Sequence, residues 1–122
     1  MSLAGIWDLT IEQGATFTRY FLVEDNTGAA KDLSSYSLRV EIRTARKPGT
    51  MLATSVGGSA TMDIEFVVDG SNGRFYITMT PANTAALSFV KGAYDIEAYT
   101  AADADVLRLF QGGVTLNKEC AY

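Results

Sequence analysis

The stretch that decides the fold is YSLRVEIRTA, residues 36–45, in which apolar and charged residues alternate from Leu38 to Arg43. One face of an extended chain would carry Leu38, Val40 and Ile42. The other face would carry only charged residues: Arg39, Glu41 and Arg43. A period of two residues is typical of a β-strand that buries one face and exposes the other.

Further strands are predicted on both sides of this one, because segments rich in β-branched and aromatic residues are separated by glycine-containing turns. These strands span residues 6–11, 16–24, 51–53, 62–68, 74–80, 92–101 and 106–116. Residues 16–24 are expected to have both faces partly covered, and 51–53 to form a short edge strand. Residues 62–80 predict a hairpin that turns at 69–73. The last segment is expected to be a strand pair that bends or bulges at Gly112 and Gly113.

Residues 81–88 interrupt the strand pattern, since Pro81 suits a first helical turn and the alanines that follow favour helix. Short strands without strand–helix–strand alternation predict an all-β, antiparallel β-sandwich with one short helical crossover near residues 81–88. No repeat or linker divides the chain, so one domain is expected over residues 1–122, with 1–5 and 119–122 as extended tails. The predicted core is Leu38, Val40, Ile42, Phe75, Ile77, Met79, Tyr94, Ile96 and Leu109.

Composition narrows the possible partners. The 122 residues are 48% hydrophobic and 20% charged, with a net charge of -4, as in an ordinary globular protein that repels polyanions. Nucleic acid is therefore not expected as a partner. The largest group of cations is interpreted as a solvated strand face: Arg39, Arg43, Arg46 and Lys47.

Cysteine and hydropathy bear on where the chain folds. Cys120 is the only cysteine, so an internal disulfide is impossible and folding in a cytoplasm is expected. No apolar run approaches the roughly 18 residues of a membrane span, and the start of the chain lacks signal-peptide features. We therefore expect neither membrane insertion nor standard export.

Residues that could carry chemistry are few. Histidine is absent, which excludes His-based hydrolase triads and removes the commonest metal ligand. Two carboxylate pairs, Asp63 with Glu65 and Asp95 with Glu97, could serve a glycosidase, but this spacing is common on outward strand faces. The acidic turns have oxygen ligands for calcium without the spacing of a calcium loop: Asp69, Asn72, Asp103 and Asp105. We expect no enzyme activity, no cofactor, no metal and no small-molecule substrate, and an inert Cys120.

Read in order, a set of turn and strand segments resembles the N-terminal domain of the upper baseplate proteins of tailed bacteriophages. The segments are LTIEQGATF (9–17), DNTG (25–28), KDL (31–33), LRVEIR (38–43), GRFYITMT (73–80), AAL (85–87), GAYDIE (92–97) and LFQGGV (109–114). The resemblance covers about residues 7–116. Each motif alone is only weakly specific for this family, and the order of the motifs is more specific than any one of them.

The resemblance implies an immunoglobulin-like β-sandwich that acts as a connector or adaptor in a tail, baseplate or neck. It would be made in the bacterial host cytoplasm, belong to the virion, and contact other phage structural proteins and copies of itself. The family supplies no catalytic residues. Upper baseplate proteins continue into receptor-binding or fibre regions, whereas this sequence stops at Tyr122, so no direct role in host recognition is implied.

Two other classes of function stay open. A free-standing carbohydrate- or protein-binding sandwich would be favoured by an exposed patch of two or three aromatic residues, and a carboxylate hydrolase by two acids in a cleft. Contacts within an assembly are expected near the chain ends: Leu3, Ile6, Trp7 and Tyr122. Trp7 either binds a partner or folds back to close one end of its own sandwich.

Overall fold

The computed structural model describes residues 5–45, 49–58 and 60–118, and this part of the chain is dominated by β-strands. The strands are β1 (Gly5–Ile6), β2 (Leu9–Glu12), β3 (Phe17–Leu22), β4 (Ser37–Arg43), β5 (Met51–Thr54), β6 (Asp63–Phe66), β7 (Arg74–Met79), β8 (Lys91–Tyr99) and β9 (Val106–Asn117). The helices are α1 (Pro81–Ala85) and a 3-10 helix (Ala101–Asp103). The all-β class is therefore confirmed.

The strands form two sheets that enclose one apolar core. In the larger sheet β1 and β2 lie beside β9, and the order continues through β8 and β4 to β5. The smaller sheet has the order β3–β7–β6. Phe21 and Phe75 of the smaller sheet reach across to Phe110 of the larger one, with ring centroids of Phe21 and Phe110 4.8 Å apart. This is the expected sandwich arrangement.

The predicted core is confirmed with one exception. Val40, Ile42, Phe75, Ile77, Met79, Tyr94, Ile96 and Leu109 are buried. Leu38 is only partly buried, although it packs against the core. The reason is its position, because β5 pairs with β4 only at residues 41–43 and leaves the earlier part of β4 at the margin of the sheet.

Strand direction departs from the antiparallel prediction at one edge of the larger sheet. β1 and β2 both pair with β9 in parallel, with Leu9 opposite Val114 and Ile11 opposite Leu116. The partners come from opposite ends of the chain, so no tight hairpin requires an antiparallel approach. The other strand pairings in the described ranges are antiparallel.

The predicted first strand, 6–11, is divided at Trp7 and Asp8. The Asp8 carboxylate Oδ1 accepts from the amide of Gly113 at 2.9 Å. A Cβ at Gly112 would overlap the carbonyl oxygen of Trp7, so glycine at this position permits a close backbone approach. The two glycines therefore serve the contact between the chain ends.

The last strand differs from its prediction in two ways. Residues 106–116 do not form a strand pair, since β9 is one strand paired along its length with β8. The irregularity expected at Gly112 and Gly113 lies earlier, where Ile96 pairs with Phe110 and Glu97 pairs with Arg108. Leu109 is the extra residue, and this allows consecutive residues Leu109 and Phe110 both to be buried.

The predicted hairpin and helical crossover are both present. β6 and β7 pair as an antiparallel hairpin, and α1 then leads from the smaller sheet into β8 of the larger one. Helix α1 ends at Ala85 rather than at residue 88. Buried Thr84 fixes it in place, because its hydroxyl donates to the Ala15 carbonyl at 2.8 Å and accepts from the Gly14 amide at 3.0 Å.

Candidate interaction surfaces

Two of the residues predicted to contact a partner, Ile6 and Trp7, lie at the parallel edge of the larger sheet. Ile6 is 78% exposed and Trp7 is 51% exposed. Leu3 and Tyr122 fall outside the described residues. We call Gly5–Ile6, Trp7, Asp8 and Leu9–Glu12 the N-terminal edge, since β1 and β2 are the outermost strands on this side.

The backbone of Trp7 is held firmly while much of its ring stays exposed. Its amide donates to the Gln111 carbonyl at 2.9 Å, and its carbonyl accepts from the Tyr94 hydroxyl. Tyr94 is only 2% exposed, and burial raises the pKa of its phenol well above 10. Trp7 is therefore a fixed, half-exposed aromatic residue.

Arg19 gives the Trp7 ring its contact with the smaller sheet. The guanidinium carbon of Arg19 lies 4.7 Å from the ring centroid, within the range of a cation–π interaction. Arg19 stands between Phe17 and Phe21 on the inward face of β3, where a charged side chain needs a partner. Sequence analysis missed this contact, and the arginine between two inward phenylalanines was the available signal.

The outward side of the N-terminal edge is open in the part of the chain that the structure describes. No described strand pairs with β1 or β2 on the side away from β9. An edge strand of this kind presents backbone N–H and C=O groups to an approaching chain. The N-terminal edge thus combines open backbone groups with the exposed side chains of Ile6 and Trp7.

The outer face of the larger sheet is a network of ion pairs, which we call the ionic face. It consists of Arg39, Glu41, Arg43, Asp95, Glu97 and Arg108. The Nε of Arg39 lies 2.8 Å from Oε1 of Glu97, and Arg108 Nη2 lies 3.7 Å from the other oxygen of Glu97. Arg39 and Arg43 were expected on a solvated face, but most of each side chain is covered. Arg46 and Lys47 fall outside the described residues.

One of the two predicted carboxylate pairs belongs to this ionic face. Asp95 and Glu97 each lie within 4.0 Å of an arginine nitrogen. The depression among these charged side chains has a volume of about 30 Å³, which is room for a water molecule rather than a sugar ring. Both carboxylates of this pair are therefore engaged by arginines.

The outer face of the smaller sheet is different, and we call it the tyrosine face. It consists of Thr18, Tyr20, Asp63, Glu65, Tyr76 and Thr78. Tyr20 lies opposite Tyr76, with ring centroids 5.2 Å apart and planes 36° apart. The Tyr76 hydroxyl donates to Glu65 Oε2 at 2.6 Å, which raises the pKa of that phenol above its usual value. Contrary to the expectation for residues 16–24, β3 is uncovered here, and Tyr20 is 66% exposed.

The acidic turns use their carboxylates for local hydrogen bonds. In Asp25, Asp32 and Asp69, one carboxylate oxygen accepts from the hydroxyl and the amide of the residue two positions later. These bonds, the hydroxyl first, hold the pKa of each carboxyl below its usual value. Asp105 accepts from the Tyr36 hydroxyl at 2.8 Å. Cys120 and the side chain of Asp103 fall outside what the structure describes, and no metal-ligating cluster occurs among the residues within it.

Comparison with known proteins adds no assignment. No protein-family model matches the chain, and no curated protein is significantly similar to it. Within residues 5–45, 49–58 and 60–118, no helix has the length and apolar character needed to cross a membrane. The surfaces themselves are therefore the basis for a functional proposal.

Proposed function

We propose that this chain is a non-enzymatic structural protein of a tailed bacteriophage, acting as a connector or adaptor in the tail, baseplate or neck. Its sandwich would be of the immunoglobulin-like type, and its place would be in the virion after synthesis in the bacterial host cytoplasm. Its partners would be other phage structural proteins and further copies of the same chain. The ordered resemblance of residues 9–114 to upper baseplate domains supports the phage assignment.

The observation that carries the proposal is the pairing of a fixed backbone with exposed apolar side chains at the N-terminal edge. Ile6 and Trp7 are both more than half exposed, yet the Trp7 backbone is bonded to Gln111 and Tyr94. Preorganised aromatic side chains are frequent hot spots in protein interfaces, because little conformational entropy is lost when they bind. Binding of a neighbouring subunit to this surface would therefore cost little conformational entropy.

The open edge also indicates how a neighbour would bind. A strand from another subunit would add beside β1 and β2 through main-chain hydrogen bonds, and the side chains of Ile6 and Trp7 would enter apolar pockets on that subunit. Backbone pairing would supply affinity, and the two side chains would set register. This arrangement suits an adaptor, which must hold defined neighbours in a fixed orientation.

The experiment uses the doubly substituted chain Ile6→Ser, Trp7→Ala in place of wild type during phage assembly. These changes remove the side chains but keep the Trp7 carbonyl, whereas deletion of residues 1–7 would leave the buried Tyr94 hydroxyl without its acceptor. Val56→Ser is the matched control, because Val56 is an exposed aliphatic residue that follows β5 at the opposite edge of the sheet.

We expect wild type and Val56→Ser to appear in purified particles by mass spectrometry. The double variant should be folded, with a urea midpoint lowered slightly by loss of the Arg19–Trp7 contact, and be depleted from particles at least tenfold. The proposal fails if wild type is absent from intact particles. The role of the N-terminal edge fails if the folded double variant is incorporated at the wild-type level, or if the variant chain does not fold.

A further inference from the structure

We propose that the tyrosine face binds a neutral saccharide, a function that goes beyond the adaptor role and does not depend on it. The face presents two rows that cross the smaller sheet from β3 through β7 to β6. The first row holds Tyr20, Tyr76 and Glu65, and the second holds Thr18, Thr78 and Asp63. Two aromatic rings are thus flanked by hydroxyls and carboxylates on one open surface.

The tyrosine pair supplies an apolar surface that suits the C–H face of a sugar ring. An aromatic ring carries partial negative charge on its face, and the C–H groups of a pyranose carry partial positive charge. The centroids of Tyr20 and Tyr76 are 5.2 Å apart, so the two rings lie next to each other as an aromatic pair. Tyr20 is 66% exposed, and among the described residues its hydroxyl has no hydrogen-bond partner. That hydroxyl is therefore available to a ligand.

The polar groups of the face match a ligand that offers many hydroxyls. Asp63 and Glu65 are exposed carboxylates that accept hydrogen bonds, and the hydroxyls of Thr18 and Thr78, 3.4 Å apart, can both donate and accept. Glu65 already accepts from Tyr76, which fixes one oxygen and leaves the other for a ligand. Sugars present donors and acceptors on adjacent carbons and can use both kinds of group.

The charges of the face disfavour an anionic ligand. Asp63 and Glu65 repel anions, including acidic polysaccharides and phosphates. Arg74, two residues before Tyr76 on the same face of β7, offsets one of these two negative charges. Because Tyr20, Asp63 and Glu65 are all exposed, the face suits a segment of a longer chain of sugars rather than an enclosed small molecule.

The test is native affinity electrophoresis of the full chain in gels that contain a soluble neutral polysaccharide. The probes are a glucan, a galactomannan and a soluble polymer of N-acetylglucosamine, with a gel lacking polysaccharide as reference. The net charge of -4 makes the free protein migrate toward the anode, so binding appears as retardation. We expect at least one of these polymers to retard the wild type.

Variants identify the face responsible. Tyr20→Ala and Asp63→Asn should each weaken retardation at least tenfold while the chain stays folded, with a cooperative urea transition. Tyr99→Ala is the matched control, because Tyr99 lies on the outer face of the other sheet beside Arg39. Trp7→Ala should also bind normally, which separates this site from the N-terminal edge.

Three results would overturn the saccharide proposal. In the first, none of the neutral polymers retards the wild type. In the second, retardation occurs but survives Tyr20→Ala and Asp63→Asn. In the third, an oligolysine peptide binds the face and no sugar polymer does, which would assign it to a cationic partner.

Discussion

The two outer faces of the sandwich differ in whether their polar side chains are paired with each other. On the ionic face, charged side chains pair with each other, as Arg39 and Arg108 both reach Glu97. On the tyrosine face, the Tyr20 ring and the Asp63 carboxylate are left largely to solvent. Groups that are already paired within the chain have few free contacts for a ligand. Exposed aromatic rings and carboxylates can still bind one. Ligand binding is therefore expected on the smaller sheet.

The largest expected effect is on the free energy of unfolding, and it tests whether the two sheets share one core beneath these faces. Ile42 of the larger sheet and Ile77 of the smaller one are both fully buried. Ile42→Ala and Ile77→Ala should each lower the free energy of unfolding by about 2–5 kcal/mol, because each leaves a cavity in the same core. Urea denaturation measures this. A wild-type midpoint for either variant would show that its sheet does not share the core.

The next effect compares two threonines, the buried Thr84 of α1 and Thr78 of the tyrosine face. Thr84→Val should lower the free energy of unfolding by about 1–3 kcal/mol, because the Gly14 amide and the Ala15 carbonyl lose a partner. Thr78→Val should change it much less, since among the described residues its hydroxyl contacts only Thr18, at 3.4 Å. Equal losses in thermal or urea unfolding would contradict the difference in burial.

A smaller effect compares one glutamate from each face, Glu97 of the ionic face and Glu65 of the tyrosine face. A double-mutant cycle with Arg39→Gln and Glu97→Gln should give a coupling of about 0.2–1 kcal/mol that decreases with added salt. Glu65→Gln, on the tyrosine face, should leave the free energy of unfolding almost unchanged and insensitive to salt. If Glu65→Gln costs as much as Glu97→Gln, the contrast between the faces is wrong.

The smallest effect concerns the titration of Tyr76. Donation to Glu65 raises the pKa of this phenol, so its contribution to stability is fully present below the unfolded pKa of about 10 and is lost as pH rises through the folded pKa. Glu65→Gln should return the pKa of Tyr76 toward its ordinary value. Phenolate absorbance during a pH titration would measure the change, and an unchanged titration curve would count against the hydrogen bond.

Much of the fold could be predicted because alternation reports burial residue by residue. The pattern of residues 36–45 led to β4 and to the inward positions Val40 and Ile42. The parallel pairing of β2 with β9 could not be derived in the same way, because it joins segments far apart in the sequence. Alternation specifies which face of a strand is buried and leaves its neighbour undetermined. The turn and hairpin signals, by contrast, are local and were sufficient.

The surfaces were harder to predict because they depend on register between strands. The sequence predicts assembly contacts at Ile6 and Trp7, while leaving open whether Trp7 binds a partner or folds back on its own sandwich. The opposition of Tyr20 and Tyr76 follows only once β3 and β7 are aligned. The sequence leaves open whether two or three aromatic residues form an exposed patch. Composition shows that aromatic residues are present, but strand pairing decides which of them lie next to each other.

The central claim is that the N-terminal edge is where the chain joins its assembly, and amide hydrogen exchange tests it most directly. Exchange would be compared between the free chain and the same chain in purified particles, with the opposite edge strand Met51–Thr54 as internal reference. The account predicts slower exchange on assembly across residues 5–12 and little change at Met51–Thr54. Unchanged exchange at 5–12, or protection confined to Met51–Thr54, would contradict it.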